Sequence, residues 1–144
     1  EDKFNFSYDF TSKKNARALN RVYLYVRLKH GIPYLIFCCR YDANTWLFVE
    51  KVKFLIDGQV YDYKPLDVYR NTNRHGIIEK MDEVVVRDST KELIDAIINS
   101  KDEITIRFEG DKNYVDQKVK PKAKIHIKET LDFYNYLLTL KDEK

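Results

Sequence analysis

Residues 19–41, LNRVYLYVRLKHGIPYLIFCCRY, alternate two kinds of side chain on either side of a His30-Gly31 pair. A period of two over eight residues is the mark of a strand whose faces see different surroundings. Gly31 reaches positive φ without steric penalty, and histidine is among the residues that tolerate it, so the pair reads as a tight hairpin turn. Pairing about that turn places Val22, Leu24, Val26 and Leu28 on one face with Leu35, Phe37 and Cys39. The opposite face collects Arg21, Tyr23, Tyr25, Arg27 and Lys29 with Tyr34, Ile36, Cys38 and Arg40.

Adjacent strand residues point to opposite faces, so Cys39 is expected in the core and Cys38 among the tyrosines. A disulfide between neighbours in sequence would need a strained ring, and no second cysteine pair or nearby histidine completes a zinc quartet. Both are expected to be free thiols used as small apolar residues, with any reactivity at Cys38.

Two further hairpins follow. In WLFVEKVKFLIDGQVYDY (46–63) the Asp57-Gly58 turn sets Trp46, Phe48, Val52, Phe54 and Ile56 on a face with Tyr61 and Tyr63, and Lys53 opposite Asp62. Trp46 reads as core within that stripe, the alternative being a ligand platform. Glu50 interrupts the stripe, and the alternation gives no reason for it. In EITIRFEGDKNYVDQKV (103–119) a turn at Asp111 and Lys112 puts Arg107 across from Asp116, a cross-strand ion pair. Between the two lie a short strand near Val68 to Arg70 and a longer one in IIEKMDEVVVRD (77–88).

Ser89 followed by Glu92 is a capping box, with Leu93, Ala96 and Ile97 as the buried stripe of a helix over about 90–100. The C-terminal segment admits two readings. Extended, it would align Lys118, Lys120, Lys122, Lys124 and Lys128 in one row. Helical, Pro121 becomes a first-turn proline and Ala123, Ile127, Leu131, Tyr134, Leu137 and Leu138 form a stripe at 3.6 spacing. The unbroken stripe favours a helix over about 121–140. The fold expected is therefore α+β: an antiparallel, curved or sandwich-like sheet of about seven strands with two helices packed on it.

The chain has 144 residues, is read as one domain over 1–144 with a polar lead-in over 1–18, and at this size buries roughly 68–70% of its unfolded surface. With 26 basic and 23 acidic residues the net charge is only +3, which gives no strong field for nucleic acid. No apolar run approaches the ~20 residues of a transmembrane helix. Glu1 stands where a start methionine would, and removal of an upstream segment is expected.

The chemistry of the common enzyme classes has no foothold. Gly31, Gly58, Gly76 and Gly110 all fall at expected turns, leaving none for a phosphate-cradling loop, and His30 and His75 directly precede turn glycines. None of the four serines lies in a G-x-S-x-G context, and Ser89 is taken as a cap. No cofactor, metal or catalytic residue is expected, although a catalytic cleft without a local motif is a third possibility.

The order W-L-F (46–48), D-G hairpin, I-I-E, capped helix, I-R-F-E-G (106–110) with Tyr114, and F-Y-N-Y (133–136) resembles small bacterial envelope or lipoprotein-like proteins of unassigned function. The resemblance spans Trp46 to Tyr136 and implies an extracytoplasmic setting and no catalytic residues. The lipid-attachment cysteine such proteins carry does not occur within these 144 residues. The leading expectation is a non-catalytic module that binds an unidentified protein or ligand through Tyr23, Tyr25, Arg27 and Tyr34, provided no helix covers that face. The alternative is local binding of a polyanion or anionic membrane by Lys118, Lys120, Lys122, Lys124 and Lys128.

Overall fold

The computed structural model describes residues 7–10 and 21–142. The expected hairpin forms β2 (Val22–Lys29) and β3 (Ile32–Ala43) about His30 (φ 54°) and Gly31 (φ 76°), with Val22 opposite Cys39, Leu24 opposite Phe37 and Val26 opposite Leu35. β1 (Ser7–Phe10) pairs with β2, so part of the stretch read as a polar lead-in is a strand; the rest of that lead-in lies outside the described residues.

The second hairpin gives β4 (Lys51–Ile56) and β5 (Gln59–Tyr63) about Asp57 (φ 50°) and Gly58 (φ 81°). Then come β6 (Tyr69–Asn73), β7 (Gly76–Val84), helix α1 (Asp88–Ile98), β8 (Thr105–Glu109), β9 (Tyr114–Lys118) and helix α2 (Pro121–Asp142). The strands form two antiparallel sheets, β1-β2-β3-β7-β6 and β5-β4-β8-β9, one of them a curled half-barrel. The class is α+β as expected, with nine strands among the described residues where about seven were anticipated.

Aromatic rings hold the two sheets together. Phe37 lies 5.1 Å from Tyr63 and 6.4 Å from Phe54, and Tyr41 lies 5.3 Å from Phe108, each pair joining one sheet to the other. Leu93, Ile94 and Ile97 of α1 and Ala123 and Ile127 of α2 close the same core.

α1 departs from its expected start. Ser89 lies inside the helix, and Arg87 at the N-cap makes no side-chain cap, so the capping box does not form. The helix start is anchored by Glu83 of β7, a buried carboxylate that accepts from Thr90 Oγ1 (2.8 Å), Tyr63 Oη (2.9 Å) and the Arg87 guanidinium. Burial pushes the Glu83 carboxyl up, but these donors outweigh it and hold it below its ordinary value.

α2 is helical as favoured, but its stripe is buried unevenly. Ala123 and Ile127 are fully inside, while Leu131, Tyr134, Leu137 and Leu138 are half-buried. Ile127→Ala is therefore expected to cost about 2–5 kcal/mol and Leu131→Ala only about 1–2 kcal/mol. Urea unfolding midpoints of the two variants check this; equal losses would mean the helix docks evenly along its length.

Cys38 and Cys39 are both free and fully buried, as expected of thiols used as small apolar residues, and Cys38, where any reactivity was placed, is as enclosed as Cys39. Burial raises both thiols well above their ordinary pKa, and the negative charge of Asp82 adds to it at Cys38. Since the thiolate is the reacting species, a thiol reagent should modify neither residue rapidly in the native protein and both in denaturant. Fast modification of Cys38 in the native state would contradict the burial described.

Candidate functional site

The chain passes from the first sheet to the second through Asn44–Glu50, and here the expected alternation breaks. Phe48 has φ 58°, the left-handed region that costs a bulky L residue roughly 1–2 kcal/mol. The inversion turns Leu47 and Val49 inward and leaves Trp46 37% and Phe48 50% exposed, so Trp46 is not the core residue that the stripe suggested.

The phase is restored one step later. The Glu50 N–H donates to the Glu109 carbonyl (2.8 Å), and Lys51 is also paired with Glu109, two residues opposing one as in a β-bulge. Val52, Phe54 and Ile56 then point inward as expected, and Glu50, the residue that interrupted the stripe, is exposed.

The inverted segment is held by Glu79 of β7, whose side chain is completely buried. Its Oε2 accepts from Leu47 N (2.8 Å) and Phe48 N (3.0 Å), and its Oε1 from Val49 N (2.8 Å) and Arg70 Nε (3.0 Å). Arg70, from β6, also donates through Nη2 to the Val49 carbonyl (3.1 Å). Three successive backbone N–H groups thus converge on one carboxylate, and the single buried charge is met by a guanidinium.

Two glycines admit the segment. A Cβ on Gly110 would lie 2.0 Å from the Leu47 carbonyl oxygen, and one on Gly76 (φ 136°) 2.2 Å from that of Ala43. Both read from sequence as turn glycines; their closer constraint is the backbone passing beside them.

What the clamp presents is a pair of stacked rings. Trp46 and Phe48 have centroids 5.9 Å apart at 22°, and the Arg70 guanidinium carbon lies 5.6 Å from the Phe48 centroid. The arrangement offers planar apolar surface, and the two charges that hold it, Arg70 and Glu79, neutralise each other, while the exposed carboxylate of Glu50 follows two residues after Phe48.

The residues singled out from sequence lie elsewhere. Tyr23 and Tyr25 are 1% and 2% exposed and form a second buried cluster with Ile36 and Cys38. The Tyr25 hydroxyl donates to Asp82 (3.0 Å), and burial, with Asp82, pushes its pKa above the phenolic value. Arg27 bonds Asp9 at 2.9 and 3.2 Å, and Tyr34 is partly exposed. The tyrosine face is therefore not open as a unit.

Nor do the lysines form a row. Lys118 on β9 bonds Thr105 Oγ1 (3.0 Å), whereas Lys122, Lys124 and Lys128 sit on α2, where a helix spreads them; Lys124 donates to the Ser100 carbonyl and Lys128 to Asp132 (2.8 Å). Lys120 is exposed in the connection between them. Arg107 and Asp116 do pair, at 2.7 and 2.9 Å, with Tyr114 stacked 3.9 Å from the guanidinium carbon. Among the described residues no cluster of His, Cys, Asp or Glu is placed to hold a metal ion, and no helix is long and apolar enough to cross a membrane.

Phe48, Arg70 and Glu79 escaped the sequence reading. Two signals were there: Glu50, a charged residue in the same phase as Trp46 and Val52, and the spacing Glu79-Met81-Glu83, which puts both acids on the same strand face as a methionine.

Comparison with protein-family models, with curated proteins and with solved structures finds no match for this chain. The resemblance to envelope proteins rests on its sequence pieces alone.

Proposed function

We propose that the protein is a non-catalytic binding module whose contact surface is the Trp46–Phe48 pair. The observation that carries this is the exposure of two large aromatic rings on a backbone conformation that is itself unfavourable and is enforced by a buried carboxylate. Solvent alone would drive both rings inward, and the relaxed strand expected from sequence would have placed them there. A left-handed phenylalanine persists only where its surroundings over-determine it, and such positions concentrate at binding surfaces. The charged groups that hold the platform, Glu79 and Arg70, are engaged with each other and with backbone, which supports recognition without catalysis.

The test compares the wild-type chain with the Trp46→Ala/Phe48→Ala double variant in peptide-display and glycan-library binding, with thermal unfolding alongside. Binders recovered by the wild type should be lost by the double variant while its fold is retained. Binders indifferent to both substitutions would move the binding surface elsewhere.

A further inference from the structure

We propose that the ligand of this platform is an uncharged carbohydrate, held by stacking of a pyranose ring on Trp46; the inference rests on the reading of the Trp46–Phe48 pair as the contact surface. A pyranose has one face of C–H groups that packs on an aromatic ring and a rim of hydroxyls that both donate and accept hydrogen bonds. The platform offers both complements.

The rings supply the flat part. With exposures of 37% and 50%, Trp46 and Phe48 together leave about 200 Å² of residue surface accessible. That is roughly a quarter of the ~800 Å² per partner of a standard protein interface, and it matches a few sugar rings instead.

The rim is supplied by neutral groups. Asn44 and Thr45 directly precede Trp46, and Thr72 lies on the same face of β6 as Arg70, two residues on. All three are exposed, and among the described residues none of their side chains is engaged in a hydrogen bond, so neutral amide and hydroxyl groups adjoin Trp46 in the chain and Arg70 along β6. Amides and hydroxyls are the groups that serve a hydroxyl-rich ligand in both directions.

Charge argues the same way. Arg70, the cation against the platform, has Nε on Glu79 and Nη2 on the Val49 carbonyl, so its charge is already met by a buried carboxylate before any ligand arrives. The whole chain carries only +3, too little to favour a polyanion over a neutral ligand.

Trp46 is the one tryptophan of the sequence, so its emission reports directly on the site. The full chain is titrated with cello-, malto-, xylo- and chito-oligosaccharides, with a heparin-derived oligosaccharide as the charged arm, and the same series is repeated by calorimetry. At least one neutral oligosaccharide should give a saturable change in Trp46 emission that survives high salt. Trp46→Ala should abolish the calorimetric signal, and Thr45→Ala should weaken binding about two- to tenfold, the loss of one hydrogen bond.

Binding of heparin alone, or binding that collapses with salt, overturns the proposal. Should no neutral sugar bind while display peptides are captured by the wild type and lost in Trp46→Ala/Phe48→Ala, the carbohydrate inference fails and the platform reading stands. No ligand of either class sensitive to that double variant overturns both.

Discussion

Glu79→Ala is expected to destabilise the protein by about 3–5 kcal/mol, the cost of removing one partner from a buried, hydrogen-bonded ion pair. The side chain is completely enclosed and accepts from Leu47, Phe48 and Val49 N–H and from Arg70. Alanine leaves three backbone donors and a partly buried guanidinium without that acceptor, and each orphaned donor carries a penalty of roughly 1–3 kcal/mol where water cannot replace it. Glu79→Gln should recover part of the loss, because its amide oxygen can still serve two N–H groups while its NH₂ opposes the other donors. Denaturant unfolding gives the energies. Trp46 emission shows whether the segment has relaxed, since Phe48 has no reason to hold φ 58° once its N–H loses its acceptor. A Glu79→Ala variant within ~1 kcal/mol of wild type and with unaltered emission would mean that the clamp does not hold the platform.

The same clamp marks where sequence stops being informative. The β2–β3 hairpin was legible to the residue because its alternation, its turn pair and its burial are all local, so every short-range signal agrees. The Asp57-Gly58 turn and the helix beginning at Pro121 were legible for the same reason. Asn44–Glu50 was not, because its conformation is set by Glu79 and Arg70, some 20 to 35 residues away in sequence. Locally, T-W-L-F-V reads as an ordinary strand, and tertiary hydrogen bonds override it. Ser89 failed as a cap in a similar way: Glu83 recruits Thr90 and Arg87 to fix the helix start from a neighbouring strand. The tyrosine face was read correctly as one side of a hairpin, but alternation assigns a face and says nothing about whether something covers it. β1 gave no signal, since all four of its residues are exposed and no inward stripe distinguishes it from a loop.

Gly110→Ala should be far more damaging than Gly58→Ala, although both residues read from sequence as hairpin-turn glycines. Gly58 stands at φ 81° with nothing within 4 Å of an added Cβ, so alanine there bears only the left-handed penalty of about 1–2 kcal/mol. Gly110 has no such φ; its constraint is space. An added methyl would sit 2.0 Å from the Leu47 carbonyl oxygen and 3.2 Å from the Leu47 Cγ, and a backbone oxygen cannot swing aside as a side chain does. Leu47 is also tethered through its N–H to Glu79, so the segment cannot retreat without breaking the clamp. A cost above about 3 kcal/mol is expected, at the upper end for overpacking. The loss should be accompanied by a change in Trp46 emission that Gly58→Ala does not produce. If Gly110→Ala proved as mild as Gly58→Ala, the segment would have room to shift, and the geometry that presents Trp46 and Phe48 would be one of several open to it. A large loss with altered emission would instead tie the exposed aromatic pair to a backbone held from both sheets, by Glu79 on one and Gly110 on the other.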